Sequence, residues 1–180
     1  MLRKNNVLYT TIVLSVICAG VALLLATVHQ ITKPVIETAI MKEKETAISQ
    51  LIPGFLSFEV YKPTLTDADE LYIVKSENQT DYCIIVTPTG FGGDIELMVA
   101  ITPELKVSGI KVLAHTETAG VGTKIQNENF LNSFVGVKMD TLKDGVDVIS
   151  GATVSSTAVK KGVSVALEAV ENYIRENTQG

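Results

Sequence analysis

The chain has 180 residues, of which 46% are hydrophobic and 19% charged, with a formal net charge of −5. That length suits one ordinary domain, the acidic balance argues against a nucleic-acid-binding surface, and the aliphatic content argues against disorder. Two cysteines, Cys18 and Cys83, and two histidines, His29 and His115, leave no basis for a disulfide scaffold or a Cys/His metal site.

Taken in chain order, the first signal is the absence of charge between Val7 and Val28, over 22 positions. At ~1.5 Å per residue a helix of that length reaches ~33 Å, enough to cross a bilayer. A cleaved signal peptide would have a shorter apolar core and a small-x-small site after it. A lipoprotein anchor on Cys18 would need a small residue where Ile17 stands. The expectation is therefore an uncleaved single-pass anchor. Arg3 and Lys4 precede the span, which places the N-terminus in the cytoplasm and the bulk of the chain outside it, at the cell (inner) membrane. The expected organisation is a cytoplasmic N-terminus (residues 1–6), a transmembrane helix (7–28), a connecting helix (29–54) and an extracytoplasmic domain (55–180).

Within the connecting segment, Pro34 reads as a first-turn residue of a second helix over about 35–51. Ile36, Ile40, Ala47, Ile48 and Leu51 form its broken apolar stripe, and Pro53-Gly54 stops it. From Phe55 to about Leu113 the period becomes two. Strands are expected around Leu56–Phe58–Val60, over 70–74, over 82–87, over 95–101 and over 106–113. In the fourth, Ile95, Leu97, Val99 and Ile101 alternate with Glu96, Met98 and Ala100. The run Pro88-Thr-Gly90-Phe91-Gly92-Gly93-Asp94 reads as a glycine-rich hairpin turn. Strands that follow one another without intervening helices make a mostly antiparallel sheet. A loop over 116–123, a short helix around 126–134 and a long helix over about 154–177 complete the chain. The long helix carries the stripe Val159, Val163, Ala166, Val170, Tyr173 and Ile174, the spacing of a helix lying on a sheet. The fold class expected is α+β: one transmembrane helix, then a single domain whose antiparallel sheet is packed by helices. Cys83 is expected in the core. Asn78-Gln-Thr80 matches a glycosylation sequon.

The most informative stretch is Asp147-Val-Ile-Ser150-Gly151-Ala152-Thr153, where the chain turns into the long helix. A helix start exposes unpaired N–H groups and a partial positive charge, and so favours an anion. Gly151 and Ala152 obstruct little, and Thr153, Ser155, Ser156 and Thr157 supply hydroxyls. Ser150 or Thr153 could equally be a plain N-cap. The spacing of a P-loop is absent.

This stretch resembles the signature at which FMN is attached covalently, through its phosphate, to a threonine hydroxyl by a dedicated flavin transferase. With the single N-terminal span, the length, Gly90-Phe-Gly-Gly93 and His115-Thr-Glu-Thr118-Ala-Gly120-Val-Gly122-Thr-Lys124, the whole chain resembles the G subunit of the Rnf-type electron-transport complex. That protein is homologous to the C subunit of the sodium-translocating NADH:quinone reductase. The resemblance implies Thr153 as the flavinylated residue, with Asp147, Ser150, Gly151 and Ala152 matching the rest of the signature. The N–H groups of Ser155 and Ser156 would then stabilise the phosphate charge. His115, Glu117, Thr118, Gly120 and Gly122 either pack beside the isoalloxazine ring or serve as turn and capping residues, and Gly90 to Gly93 are a hairpin turn first and a flavin-contacting loop second. Ala119 and Val121 depart from the family's Pro and Leu. No catalytic side chain or metal ligand is implied, because the redox chemistry belongs to the flavin. The resemblance further implies an electron relay within a membrane complex that couples ferredoxin:NAD exchange to sodium-ion or proton transport. Its partners would be the other subunits, the flavin transferase and the membrane. A free-standing anchored flavoprotein and a cofactor-free anchored binding domain are the rival readings.

Overall fold

The computed structural model describes residues 2–63, 67–77 and 79–178, with side chains described from residue 8 to residue 177. Asn78 of the sequon and the side chains of Arg3 and Lys4 lie outside what is described. The chain divides at residues 45/46 into two compact units.

The first element is one helix, α1 (Leu2–Leu51), with Pro34 inside it. Pro34 therefore does not begin a second helix, as its sequence context suggests. Proline's fixed φ is compatible with helical geometry, and although the residue removes one hydrogen bond and crowds the carbonyl four positions back, the helix continues through it. Among the described residues this is the one helix long and apolar enough to cross a membrane, and its apolar window has none of its residues buried. Large side chains such as Leu8, Leu14, Ile17 and Leu24 are more than half exposed. An exposed apolar surface of that length matches a lipid environment. Pro53-Gly54 ends the helix as expected, with Gly54 at φ 81° in the left-handed region.

The second unit is built on five antiparallel strands in sequence order: β1 (Ser57–Tyr61), β2 (Ala68–Lys75), β3 (Thr80–Val86), β4 (Ile95–Ile101) and β5 (Val107–His115). The pairing Val86↔Leu97 and Ile84↔Val99 in β3–β4 sets one face, and Ile85↔Met98 and Cys83↔Ala100 set the other. Because side chains alternate across a strand, the two sets bury against different partners.

The first face meets α4 (Thr153–Thr178). Leu71, Ile84, Val86, Leu97, Val99 and Ile101 share a core with Val159, Val163, Ala166 and Val170. All four helix residues are fully buried, and Tyr173 and Ile174 pack at the margin, as the stripe requires. The second face is covered too, which the strand pattern does not predict. Met98 and Ala100 are fully buried there, together with Tyr72, Val74, Cys83 and Ile85. The last turns of α1 supply the cover through Ala47, Ile48 and Ile52. Residues 46–54, which read in sequence as part of a connector, thus belong to the second unit and place Ala47, Ile48 and Ile52 in its core. The large aliphatics Ile48 and Ile52 each contribute roughly 1.5–3 kcal/mol by burial.

Between β5 and α4 the chain makes a 3-10 turn (Gly122–Gln126) and two short helices, α2 (Glu128–Asn132) and α3 (Leu142–Gly145). Ile125, Phe130, Phe134 and Leu142 send these pieces into the same core as α4. The expected helix over 126–134 is real but shorter. Its N-cap is Asn127, whose side chain accepts from the Asn129 N–H. Neither Glu117 nor Thr118 caps it.

Candidate functional site

The turn into α4 is held by local chemistry. Gly151 sits at φ 78°, a left-handed conformation that disfavours a side chain. The Ala152 N–H donates to the Ile149 carbonyl at 2.9 Å, and the Ser156 N–H donates to the Ala152 carbonyl at 2.9 Å. That second bond is the first of the helical series. It leaves the N–H groups of Thr153, Val154 and Ser155 at the open end of the helix. Ser156 is fully buried. Its Oγ accepts from the Ile149 N–H at 3.1 Å and donates to the Ala152 carbonyl at 2.9 Å.

These bonds revise the role of Ser156. Its N–H is committed to the helix and its hydroxyl to the turn, so it shapes the turn rather than facing an anion. Ser155 has a buried side chain, but it lies at the open end. Thr153 is exposed, as are Thr157, Ser150 and Asp147. The structure therefore separates an accessible hydroxyl at the first helical position from a buried one three residues on.

A cavity of about 280 Å³ opens beside the turn. Its walls come from three parts of the chain: Phe91 of the β3–β4 hairpin, Glu117, Val121 and Gly122 after β5, and the helix start from Gly151 to Ser155. Of the residues singled out by sequence, Gly151, Ala152, Thr153, Ser155, Glu117 and Gly122 meet there. Asp147, Ser150, Ser156, His115, Thr118 and Gly120 do not line it. His115 ends β5, and its Nδ1 accepts from the Glu117 N–H at 3.2 Å. The Thr118 carbonyl accepts from the Gly122 N–H at 3.0 Å. Gly120, at φ 79°, donates to Thr123 Oγ1 at 3.0 Å. These three residues form the loop and do not face the cavity.

Glu117 is only 8% exposed. Its carboxylate accepts from the Phe91 N–H at 2.8 Å and the Gly92 N–H at 3.3 Å. Burying a carboxylate is costly unless it is hydrogen-bonded, and these charge-assisted bonds offset that cost. Two glycines make room for it. A Cβ at Gly90 would collide with Glu117 Oε1, and a Cβ at Gly122 would collide with Glu117 Oε2. The glycines of the two loops thus clear space for a bracing carboxylate, a purpose that their spacing in sequence does not disclose.

Two further groups stand at or beside the cavity wall. Phe91 lies in the Gly90–Gly93 run, which reads in sequence as a hairpin turn first and a flavin-contacting loop second, and its ring is 72% exposed on the cavity wall. Lys124 stands only at the end of a motif. Its Nζ lies 3.6 Å from where a Cβ on Gly151 would stand, which puts a cation beside the open helix end. A lysine two residues past a glycine pair is a weak signal alone, since only the fold brings it to the turn. Lys160 steadies the approach to the turn, because its Nζ donates to the Val146 carbonyl at 2.5 Å and to the Lys143 carbonyl at 3.0 Å.

The chemistry on offer is an anion seat with an apolar neighbour. Small residues, open N–H groups, an accessible Thr153 hydroxyl and the Lys124 ammonium surround one end. Phe91, Val121 and Val154 supply apolar surface at the other. A phosphate joined to a flat aromatic group matches that division, and FMN is such a molecule.

Comparison with known proteins points the same way. Residues 90–168 match the family model described as the FMN-binding domain, a stretch that includes the hairpin, the loop and the helix start. The G subunit of the proton-translocating ferredoxin:NAD(+) oxidoreductase complex of Clostridium ljungdahlii is 29% identical over 179 residues, covering 94% of this chain and 95% of that one. The G subunit of the ion-translocating oxidoreductase complex of Pasteurella multocida is 31% identical over 194 residues, covering 94% and 96%. That of Shewanella baltica is 31% identical, covering 91% and 87%. Among solved structures, Shewanella oneidensis NqrC aligns with a TM-score of 0.53 at 20% identity, over 62% of this chain and 61% of that one. This last likeness is one of fold.

Proposed function

The chain belongs to the family of G subunits of ion-translocating oxidoreductase complexes, and from that premise we propose that it is a membrane-anchored flavoprotein subunit whose FMN is joined by a phosphoester to Thr153 Oγ. The observation that carries this reading is the placement of one exposed threonine hydroxyl at the open N-terminus of α4, on the wall of a cavity with apolar sides. Gly151 and Ala152 let a phosphate approach the backbone. The N–H groups of Thr153, Val154 and Ser155 oppose its remaining negative charge, and Lys124 adds a full positive charge beside Gly151. Ser156, from behind, holds the turn in the shape that presents Thr153.

When bound, FMN supplies the electron-transfer chemistry, and the protein supplies binding and orientation. The relatives are named as subunits of complexes, so the partners proposed here are the other subunits of such a complex, together with a flavin transferase that makes the bond. The uncharged part of α1 holds the chain in the membrane, with residues 1–6 in the cytoplasm and the domain on the other side. The protein relays electrons between partners and has no substrate of its own. A covalent tether suits that location, where a dissociated cofactor would be lost to the surroundings.

The test is a denaturing gel of protein made in cells that contain the transferase. Flavin fluorescence should remain with the chain, because unfolding removes weak contacts and leaves a phosphoester intact. Thr153→Ala should abolish the band while the thermal transition survives. An unlabelled wild-type chain, with the transferase active, would remove the flavin reading and leave a cofactor-free binding domain.

A further inference from the structure

We propose that Lys160 is a positioning residue for the attachment of FMN to Thr153: it holds the segment entering the turn, residues 147–149, in the shape that the modifying enzyme binds. The inference rests on the reading of Thr153 given above and concerns what presents that hydroxyl to the transferase.

The segment is strapped to α4 at both ends. Ser156 and Lys160 are four residues apart, so both side chains leave the helix on one side. The Ile149 N–H donates to Ser156 Oγ at 3.1 Å. Lys160 Nζ donates to the Val146 carbonyl at 2.5 Å and to the Lys143 carbonyl at 3.0 Å. Beneath these bonds Val146 is buried in the core and Ile149 packs against it. Asp147 and Val148, between the two straps, are exposed. They form a short outward stretch just ahead of Thr153, fixed before and after.

α3 could not hold this segment by itself. It has four residues, too few to offset the cost of nucleating a helix, and its last carbonyls find no partner within it. A lysine on a helix surface ordinarily keeps its ammonium in water, because fixing the long side chain costs entropy. Lys161, the next residue, is exposed in that manner. Lys160 instead directs its ammonium to two carbonyls of the incoming segment. Those charge-assisted bonds order main chain beside the acceptor hydroxyl.

In the attachment, an Oγ–P bond forms on Thr153 while the pyrophosphate P–O bond of a flavin dinucleotide breaks. The nucleoside monophosphate leaves with the electron pair, and the hydroxyl proton passes to a base of the enzyme. Lys160 takes no part in that exchange, and its effect is on binding. A chain whose 147–149 segment samples several shapes is bound only in the competent fraction, and its apparent affinity falls by that fraction.

The experiment uses the full chain, made without the transferase and purified in detergent, then mixed with purified transferase and flavin adenine dinucleotide. Label is read as in-gel fluorescence over time, with the chain concentration varied, well below the thermal midpoint of every variant. Lys160→Met keeps an unbranched stem and removes the donors. It should raise KM for the chain severalfold and leave kcat nearly unchanged. Lys160→Arg restores donors and should recover most of the affinity. Lys161→Met removes the same charge next door and should alter neither constant. Amide hydrogen exchange over 147–149 in the unlabelled chain should quicken in Lys160→Met and not in Lys161→Met, a reading that does not involve the transferase. Lys160→Gln, whose amide is too short to span both carbonyls, gives the same comparison should Lys160→Met not fold.

A merely structural cap on α3 would lower the thermal midpoint of Lys160→Met and leave KM and the exchange over 147–149 as in the parent, which would overturn the proposal. An equal rise of KM in Lys161→Met would overturn it too, because the enzyme would then be reading surface charge. A parent chain that takes no label from an active transferase would defeat the reading of Thr153 itself, an outcome seen before any variant is made.

Discussion

Thr153 and Ser156 are hydroxyl residues three positions apart on one helix, and burial assigns them opposite duties. Thr153 is exposed at the open end, so Thr153→Ala should remove covalent flavin at a stability cost of no more than ~1 kcal/mol, the scale of a lost cap. Ser156→Ala should do the reverse. It leaves the part-buried Ile149 N–H without its acceptor, which costs roughly 1–3 kcal/mol. The thermal midpoint should drop by several degrees while the flavin band survives in the gel. A Ser156→Ala chain that lost its label with an unaltered midpoint would make Ser156 a phosphate contact after all. Cys83 illustrates a different consequence of burial. Desolvation first, and the Asp81 carboxylate second, push its thiol well above the ordinary range. The neutral form is thus favoured in the fold, and its contribution to stability is complete below the unfolded thiol's value of about 8.5. It is lost as pH rises beyond that point, because the unfolded chain releases its proton first. Tyr72, raised chiefly by burial and then by its bond to Glu70, adds to the loss in the range of an ordinary phenol, about 10. The melting temperature should therefore fall between about pH 8 and pH 10, and Cys83→Ala should show a shallower fall. A flat profile in the parent protein would contradict the burial of Cys83.

Among the elements, α4 and the end of α1 cover opposite faces of one sheet. Val163 and Val170 are fully buried against the strands. Val163→Asp or Val170→Asp would bury an unpaired charge, and either should abolish the cooperative thermal transition. A native-like transition in both variants would mean that α4 is not the cover of that face. The stripe on α4 is readable because a helix that buries one side repeats its apolar residues near every 3.6 positions. The second face is not. In β4 the run Ile95–Ile101 alternates with Glu96, Met98 and Ala100, and that pattern resembles a strand with one wet side. Met98 and Ala100 are small or flexible apolar residues whose burial depends on whether anything packs over them. Ala47, Ile48 and Ile52 do so, from about fifty residues earlier in the chain.

For the molecule as a unit, these contacts relocate the boundary between anchor and domain. A chain starting at residue 46 should be soluble and fold with a single transition, since it retains Ala47, Ile48 and Ile52. A chain starting at residue 55 should melt at a clearly lower temperature or not fold at all. It exposes the face of Tyr72, Val74, Ile85 and Met98, at a cost of several kcal/mol against a typical total of about 5–15. Equal midpoints would restore the boundary near residue 54. The full chain should stay with the membrane after carbonate extraction through residues 7–28. Its recovery in the soluble fraction would exclude α1 as an anchor.

Features that depend on neighbours along the chain are legible without any structure: the uncharged span, the order of strands, the glycine-rich hairpin, the stripe of α4, and a turn of small and hydroxyl residues at its start. Each follows from local periodicity or from a residue's own conformational limits, and a short window of residues contains all of it. Folding in three dimensions settles the rest: which hydroxyl of that turn is accessible, what covers the second face of the sheet, and why Gly90 and Gly122 are glycines. Those outcomes rest on pairs such as Phe91 and Glu117, 26 residues apart, or Gly151 and Lys124. Such pairs meet because the sheet and helix carry distant segments to one place, and no local pattern records that a carboxylate will be buried between two loops.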